Sequence, residues 1–445
     1  MSKIKYRGRT VMKPVMKRLI SLVICFVMTF TVTACGKGTD QKTSNPGKDG
    51  DKVVINFFHR WPNEPRNTFF NEAVKEFESL HPNVKINVDK VLNDSYKEKI
   101  RVLVSNEDLP DIFSSWSDSF AENIVSSGKV KPLDHLFEED KEWGDNILKS
   151  QLGAFTFNGK IYGVPLTIDG KVFAYNTKIF KENGIEPPKT FEEFIKILDK
   201  LKKAGYENPI MEGLSDSWAI AHYIGTINQR LMDPAVLEKD YNPKTGEFTD
   251  LGYIDALKAF KRLTDYMGET ATAIDHETAR NMFVNGKVPI VYMQLSEIKY
   301  VEDQGMKDFA FFDFPPFENG KGDPNSLTGA PEGFMLSKNA PKEAEEFLKF
   351  LTSKEMAFKF TKECGQLNAI KGAVTSENAS PKSLESYDLI LKSSKTAPWF
   401  DNAVNASIVD IFMRGGQSMA IGEMTPEEVM NRVQKEATKL RSTSK

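Results

Sequence analysis

Residues 53–114, VVINFFHRWPNEPRNTFFNEAVKEFESLHPNVKINVDKVLNDSYKEKIRVLVSNEDLPDIFS, decide the fold. Positions 53–58 are an apolar run broken only by Asn56, the pattern of a strand covered on both faces. Over Arg66–Leu80, the residues Phe69, Phe70, Ala73, Val74, Phe77 and Leu80 recur at helical spacing, and His81-Pro82 ends the pattern. Positions 84–88 alternate as a strand, 96–104 are helical, and 110–114 form a third short strand. The order βαβαβ predicts an α/β domain that opens on a parallel sheet with helices on its faces.

A second series begins near residue 170. A strand is expected over 171–175. Thr190-Phe191-Glu192-Glu193 reads as a capping box, followed by the apolar stripe Phe191, Phe194, Ile195, Leu198 and Leu201, with Gly205 at a left-handed cap. Helices are expected over 253–267 and His276–Val284, then strands over 288–293, 309–314 and 333–336. The tail is helical: 341–351 has Pro in its first turn, and Thr425-Pro426-Glu427-Glu428 is a second capping box before the stripe Val429, Val433, Ala437 and Leu440. Asp240-Tyr241-Asn242 begins like a calcium loop, but Lys244 and Thr245 break that pattern, so a hairpin through 242–246 is expected. The alternation predicts two α/β lobes joined by more than one crossing, with a ligand cleft between them.

The amino terminus carries an address. Seven basic residues and no acid occupy 1–34, ending in an uncharged run of 16 residues, Leu19 to Ala34. A spanning helix needs about 20 apolar residues, so this run suits a signal peptide better than an anchor. It closes on Val32-Thr33-Ala34-Cys35-Gly36, which resembles the bacterial lipobox. That resemblance implies cleavage after residue 34 and diacylation of Cys35, which anchors a chain firmly where one acyl group would not. Positions 36–51 lack large apolar residues and read as the rest of a flexible tether, 35–51.

Composition narrows the function. The chain's 445 residues exceed what one core usually holds. Its net charge is −3, but without the seven leader cations 52 basic residues face 62 acidic ones, a balance of −10. That disfavours nucleic acid as a partner. Cys25, Cys35 and Cys364 are too few for a disulfide framework, and the five histidines are isolated, so no metal or cofactor is expected. The chain has no Walker loop, no dinucleotide fingerprint, no His-Glu-x-x-His and no Gly-x-Ser-x-Gly, so no catalytic residues are assigned.

Several segments together resemble the extracytoplasmic solute-binding proteins of ATP-driven importers, in the branch of the maltodextrin- and multiple-sugar-binding proteins. They are Tyr96-Lys97-x-Lys99-Ile100 leading to Leu109-Pro110-Asp111-Ile112, and Asn158-Gly159-Lys160-Ile161-Tyr162-Gly163-Val164-Pro165 followed by Tyr175-Asn176. Phe283-x-x-Gly286-Lys287-x-Pro289-Ile290 and Glu332-Gly333-Phe334-x-Leu336-Ser337 complete the set. The resemblance implies a two-lobed periplasmic-binding-protein-like fold. Lobe one would comprise 52–165 and 291–333, and lobe two 169–288 and 339–445. It also implies an oligosaccharide ligand, ABC permease subunits with a cytoplasmic ATPase, membrane contact through the lipid anchor alone, and a monomer.

A sugar site needs aromatic faces for C–H surfaces beside planar polar groups for hydroxyls. Trp61 follows the first strand in His59-Arg60-Trp61-Pro62-Asn63-Glu64, and Trp116 follows the third in Trp116-Ser117-Asp118. Trp218 and Trp399 are expected in loops beside Asp216 and Asp401. The candidate ligand-binding set is therefore Arg60, Trp61, Glu64, Trp116, Asp118, Asp169, Trp218, Gln294, Glu332 and Trp399. Within it, Asp118 and Asp169 carry a sugar-hydroxyl role only through the resemblance, and Gln294 and Glu332 stand beside the other crossings. The rival reading is a lipid-anchored glycoside hydrolase, which needs a carboxylate pair that 62 acidic residues leave open. A surface carbohydrate module is a third possibility, disfavoured because the chain is too helical for a β-sandwich.

Overall fold

The computed structural model describes residues 52–394 and 396–443. The expected signal peptide (1–34) and the lipidated Cys35 with its tether (35–51) lie outside the described residues.

Two separate sheets carry the fold. The first runs Val84–Lys90, Val53–His59, Ile112–Trp116, Glu332–Leu336, Gly163–Thr167. Its first three strands are parallel, as the βαβαβ pattern predicts, and Glu332–Leu336 is antiparallel to both neighbours. Helix Arg66–Leu80 buries Phe69, Phe70, Ala73, Val74 and Phe77, with Phe70 edge-on to Phe57 of the adjoining strand. The second sheet runs Phe309–Phe312, Lys171–Asn176, Ile290–Gln294, Ile210–Met211, and only its last pair is parallel.

Local signals hold where they rest on backbone chemistry. Thr190 Oγ1 accepts from Glu193 N at 3.2 Å, and the helix behind it buries all five stripe residues. The Glu193 carboxylate reaches one residue further back than a capping box requires, to Lys189 N at 2.7 Å. At Thr425 the box is complete in both directions.

Strand pairing corrects the expected division into lobes. Segment 291–333 is expected in the first lobe, yet Ile290–Gln294 and Phe309–Phe312 flank Lys171–Asn176 in the second sheet. Conversely, 339–445 is expected in the second lobe, yet Phe347, Met356 and Phe360 share a core with Phe57, Phe69 and Phe70 of the first. Hydrophobic pattern identifies a strand or helix, whereas its partner is chosen by long-range packing that no local window contains. The helices that remain with the second lobe, Ala406–Ala420 and Pro426–Thr443, bury Phe412, Val429 and Val433 against Phe260 and Tyr253.

The hairpin expected through 242–246 is also corrected. Helix Pro234–Tyr241 runs into it, and the segment is a turn held by Thr245 N and Gly246 N on the Asn242 carbonyl.

The chain crosses from the first sheet to the second at 168–170 and returns at 329–331. At the outward crossing, Asp169 accepts from Gly170 N, Ser296 N and Ser296 Oγ, which ties it to the turn after strand Ile290–Gln294; that turn stays with the second sheet, so the crossing expected beside Gln294 is not there. The return crossing passes through Gly329, where a Cβ would lie 2.0 Å from the Asp169 carbonyl oxygen. Only glycine allows these two backbones to touch.

Candidate ligand-binding cleft

Strands Val53–His59 and Ile112–Trp116 are parallel and therefore end on the same edge, which delivers Arg60 and Trp116 together. Glu332 opens the antiparallel neighbour and is registered opposite Trp116. The Arg60 guanidinium forms an ion pair with Glu332 and lies 4.8 Å from the centre of the Trp116 ring. This cluster is one wall of a cleft of about 90 Å³.

The facing wall comes from the second lobe. Trp218 stands in the first turn of helix Ser217–Leu231 instead of the expected loop, and His222 follows four residues later on the same face. Trp399 stacks on the His222 ring at 4.3 Å and 21°, and Asp401 and Asn402 follow it in a short helix, Phe400–Ala403. Gln294, at the end of its strand in the second sheet, closes the cleft.

Six of the ten expected residues thus line one cavity: Arg60, Trp116, Trp218, Gln294, Glu332 and Trp399. Trp61 and Glu64 face a second, wider chamber of about 790 Å³ that the cleft meets at Arg60. Trp61 is buried there, stacked on Phe70 at 5.0 Å.

Asp169 is spent on the hinge. Besides the crossing contacts above, it accepts from Gln294 Nε2 at 3.1 Å, and burial raises its pKa to about 6 against those hydrogen bonds. Asp118 accepts from Ser117 Oγ at 2.6 Å and holds a left-handed φ of 56° at the head of its helix. Burial raises its pKa.

Lys97, His222, Asp401 and Asn402 line the cleft without having been expected there. The only sequence signal was their adjacency, Lys97 to Tyr96 and Asp401-Asn402 to Trp399. Lys97 Nζ lies 2.9 Å from Asp401 Oδ2. Burial alone would push the Asp401 carboxyl up, but Lys97 and His222 outweigh it and hold it well below the usual carboxylate range. Burial lowers the His222 pKa to about 4, although Asp401 opposes that shift, so its imidazole is neutral near pH 7. His222 Nδ1 and Asn402 Oδ1 are buried with no hydrogen-bond partner, and Asp401 Oδ1 has only His222 Nε2 at 3.6 Å.

Behind Trp218 runs a chain of buried charges. Lys171 Nζ lies 4.8 Å from the Trp218 ring centre and 3.3 Å from Glu212. Glu212 meets His276 Nδ1 at 2.6 Å, His276 Nε2 meets Glu297 at 2.9 Å, and Glu297 also takes Arg280. Burial opposes charge on His276, but Glu297 and Glu212 raise its pKa to about 9. Among the described residues, no group of three or more His, Cys, Asp or Glu is placed to hold a metal, and no helix is long and apolar enough to cross a membrane.

Two lobes with a polar-aromatic cleft between them form an arrangement built to hold a small ligand. The chain belongs to the bacterial extracellular solute-binding protein family, whose profile matches residues 61–358. It is 23% identical over 406 residues to an uncharacterised ABC transporter extracellular-binding protein of Pyrococcus horikoshii, covering 88% of this chain and 90% of the relative. It is 23% identical to the multiple sugar-binding protein of Streptococcus mutans, over 82% of this chain and 85% of the relative. Among solved structures, a chitin oligosaccharide binding protein superposes with a TM-score of 0.79 at 24% identity, covering 88% of this chain and all of that one.

Proposed function

We propose that this protein is the extracytoplasmic binding subunit of an ABC importer that captures an oligosaccharide between its lobes and presents it to the permease. The observation that carries the reading is the pair of buried atoms without a hydrogen-bond partner, His222 Nδ1 and Asn402 Oδ1, beside the Trp218 and Trp399 rings. An unmade buried hydrogen bond costs about 1–3 kcal/mol, so a ligand that brings hydroxyls and a C–H face relieves a standing penalty. The sugar touches both walls, so it stabilises the closed arrangement over the open one, and closure is the signal the permease reads.

The cleft favours binding over hydrolysis. A glycosidase needs one carboxyl held protonated. Here Asp401 is held ionised by Lys97, and Glu332 is committed to Arg60. The anchor would be a diacylated Cys35 on an external membrane face, with the folded body on its tether and the protein working as a monomer.

The test is a thermal-shift screen of the protein against neutral and acidic oligosaccharides, followed by mass analysis of the recovered sugar. A ligand at about 100 times its dissociation constant adds about 2.7 kcal/mol of stability. A stabilising sugar recovered intact supports the reading. A cleaved sugar moves the protein to the hydrolases, and no stabilising sugar removes the carbohydrate assignment.

A further inference from the structure

The wider chamber beyond the Arg60–Glu332 pair differs in chemistry from the aromatic cleft. Arg66, the first residue of helix Arg66–Leu80, lines it and makes no hydrogen bond or ion pair with a described residue. Burial and the neighbouring Arg60 cation both work against its charge, Glu332 and Asp169 offset only part of that, and a guanidinium does not escape by losing its proton.

From the other lobe, Arg280 gives one nitrogen to Glu297 and lies 3.8 Å from the centre of the Tyr300 ring, while its Nε is buried without a partner. The buried carboxylates nearby are already engaged: Glu297 by His276 and Arg280, Glu332 by Arg60. Glu64 spends its oxygens on Asn67 Nδ2 and Thr68 N, while Glu277 and Glu363 are solvent-exposed.

A neutral sugar would leave Arg66 without a direct carboxylate partner and Arg280 Nε without an acceptor in a partly desolvated space. A carboxylate accepts two parallel hydrogen bonds from a guanidinium and matches it in charge. Building on the oligosaccharide reading of the cleft, we infer that this chamber receives an acidic sugar unit whose carboxylate is bound by Arg66 from one lobe and Arg280 from the other. A volume of about 790 Å³ gives such a unit room, and Arg60 stands where the chain passes from the aromatic cleft into it. Contacts from both lobes make the acidic group part of the closing force.

The test is calorimetric titration of the full-length protein, in detergent, against matched pairs. These are oligogalacturonates with their methyl esters, and glucuronate-substituted xylo-oligosaccharides with the unsubstituted chains, beside neutral gluco- and chito-oligosaccharides. The acidic member of at least one pair is expected to bind ten-fold or more tighter than its neutral partner. Arg66→Gln is expected to erase that preference while leaving the neutral sugar unchanged, and Arg66→Lys to restore part of it. Tight binding of neutral sugars alone, or equal weakening of acidic and neutral sugars by Arg66→Gln, overturns the acidic assignment and leaves the carbohydrate reading standing. Binding of no sugar of either kind overturns both.

Discussion

Lys97 and Asp401 are 304 positions apart, and their 2.9 Å ion pair joins a helix packed on the first sheet to the short helix that carries the second lobe's cleft residues. Ser119 Oγ adds a hydrogen bond to the Ala403 carbonyl at 3.1 Å nearby. These contacts join the two sides of the cleft, so they bear on how far the lobes close. Lys97→Met should shift the ligand-free protein toward the open form, measurable as a larger radius of gyration in X-ray scattering. The stability cost should be about 2 kcal/mol, below the 3–5 of a fully buried pair because Lys97 keeps some solvent contact. An unchanged radius would remove the pair from control of closure.

Trp399→Ala should weaken sugar binding more than ten-fold, about 1.4 kcal/mol or more, and Trp116→Ala should do the same. Trp399 is buried against His222, so its loss also opens a cavity. Trp399→Phe keeps a stacking face and should recover part of the affinity. If neither alanine variant loses ten-fold in calorimetry, the cleft is not the sugar site.

Stability should fall in alkali because of His276. Its folded pKa is raised to about 9 from an ordinary 6.5 by Glu297 and Glu212, against burial. The stabilisation is therefore complete below pH 6.5 and is lost as pH climbs through 9. Denaturant unfolding at pH 6.5 and 9.5 should show that loss in the native chain, and a much smaller one in His276→Gln. Equal slopes in the two proteins would remove His276 as the cause.

Gly329→Ala should destabilise the protein by about 3 kcal/mol, because the added Cβ would stand 2.0 Å from the Asp169 carbonyl oxygen. The strain falls where two crossings touch, so sugar affinity should fall with it. A variant with unchanged melting temperature would show that the crossings separate at no cost.

Cys35→Ala should release the protein from membranes. Native protein should partition into the detergent phase of a cloud-point extraction, and the variant into the aqueous phase, with sugar affinity unchanged. Retention of the variant in the detergent phase would point to an uncleaved leader as the anchor.

Much of this protein was legible in its sequence, for a physical reason. The helix Arg66–Leu80, the stripe behind Thr190 and the capping at Thr425 depend on residues within one or two turns of each other. Periodicity and hydrogen-bonding side chains act at that range. Trp116 could be placed beside Arg60 because parallel strands end on one edge.

The tertiary structure alone decided which sheet each later segment joins, and so moved Ile290–Gln294 and Phe309–Phe312 to the second lobe. It also decided what each carboxylate is for. Asp169 and Asp401 look alike in sequence as residues beside candidate binding loops, yet one is consumed by Ser296 and Gln294 and the other faces the cleft under Lys97. A charge's role depends on the partners within a few ångströms of it. Here those partners come from positions more than a hundred residues away.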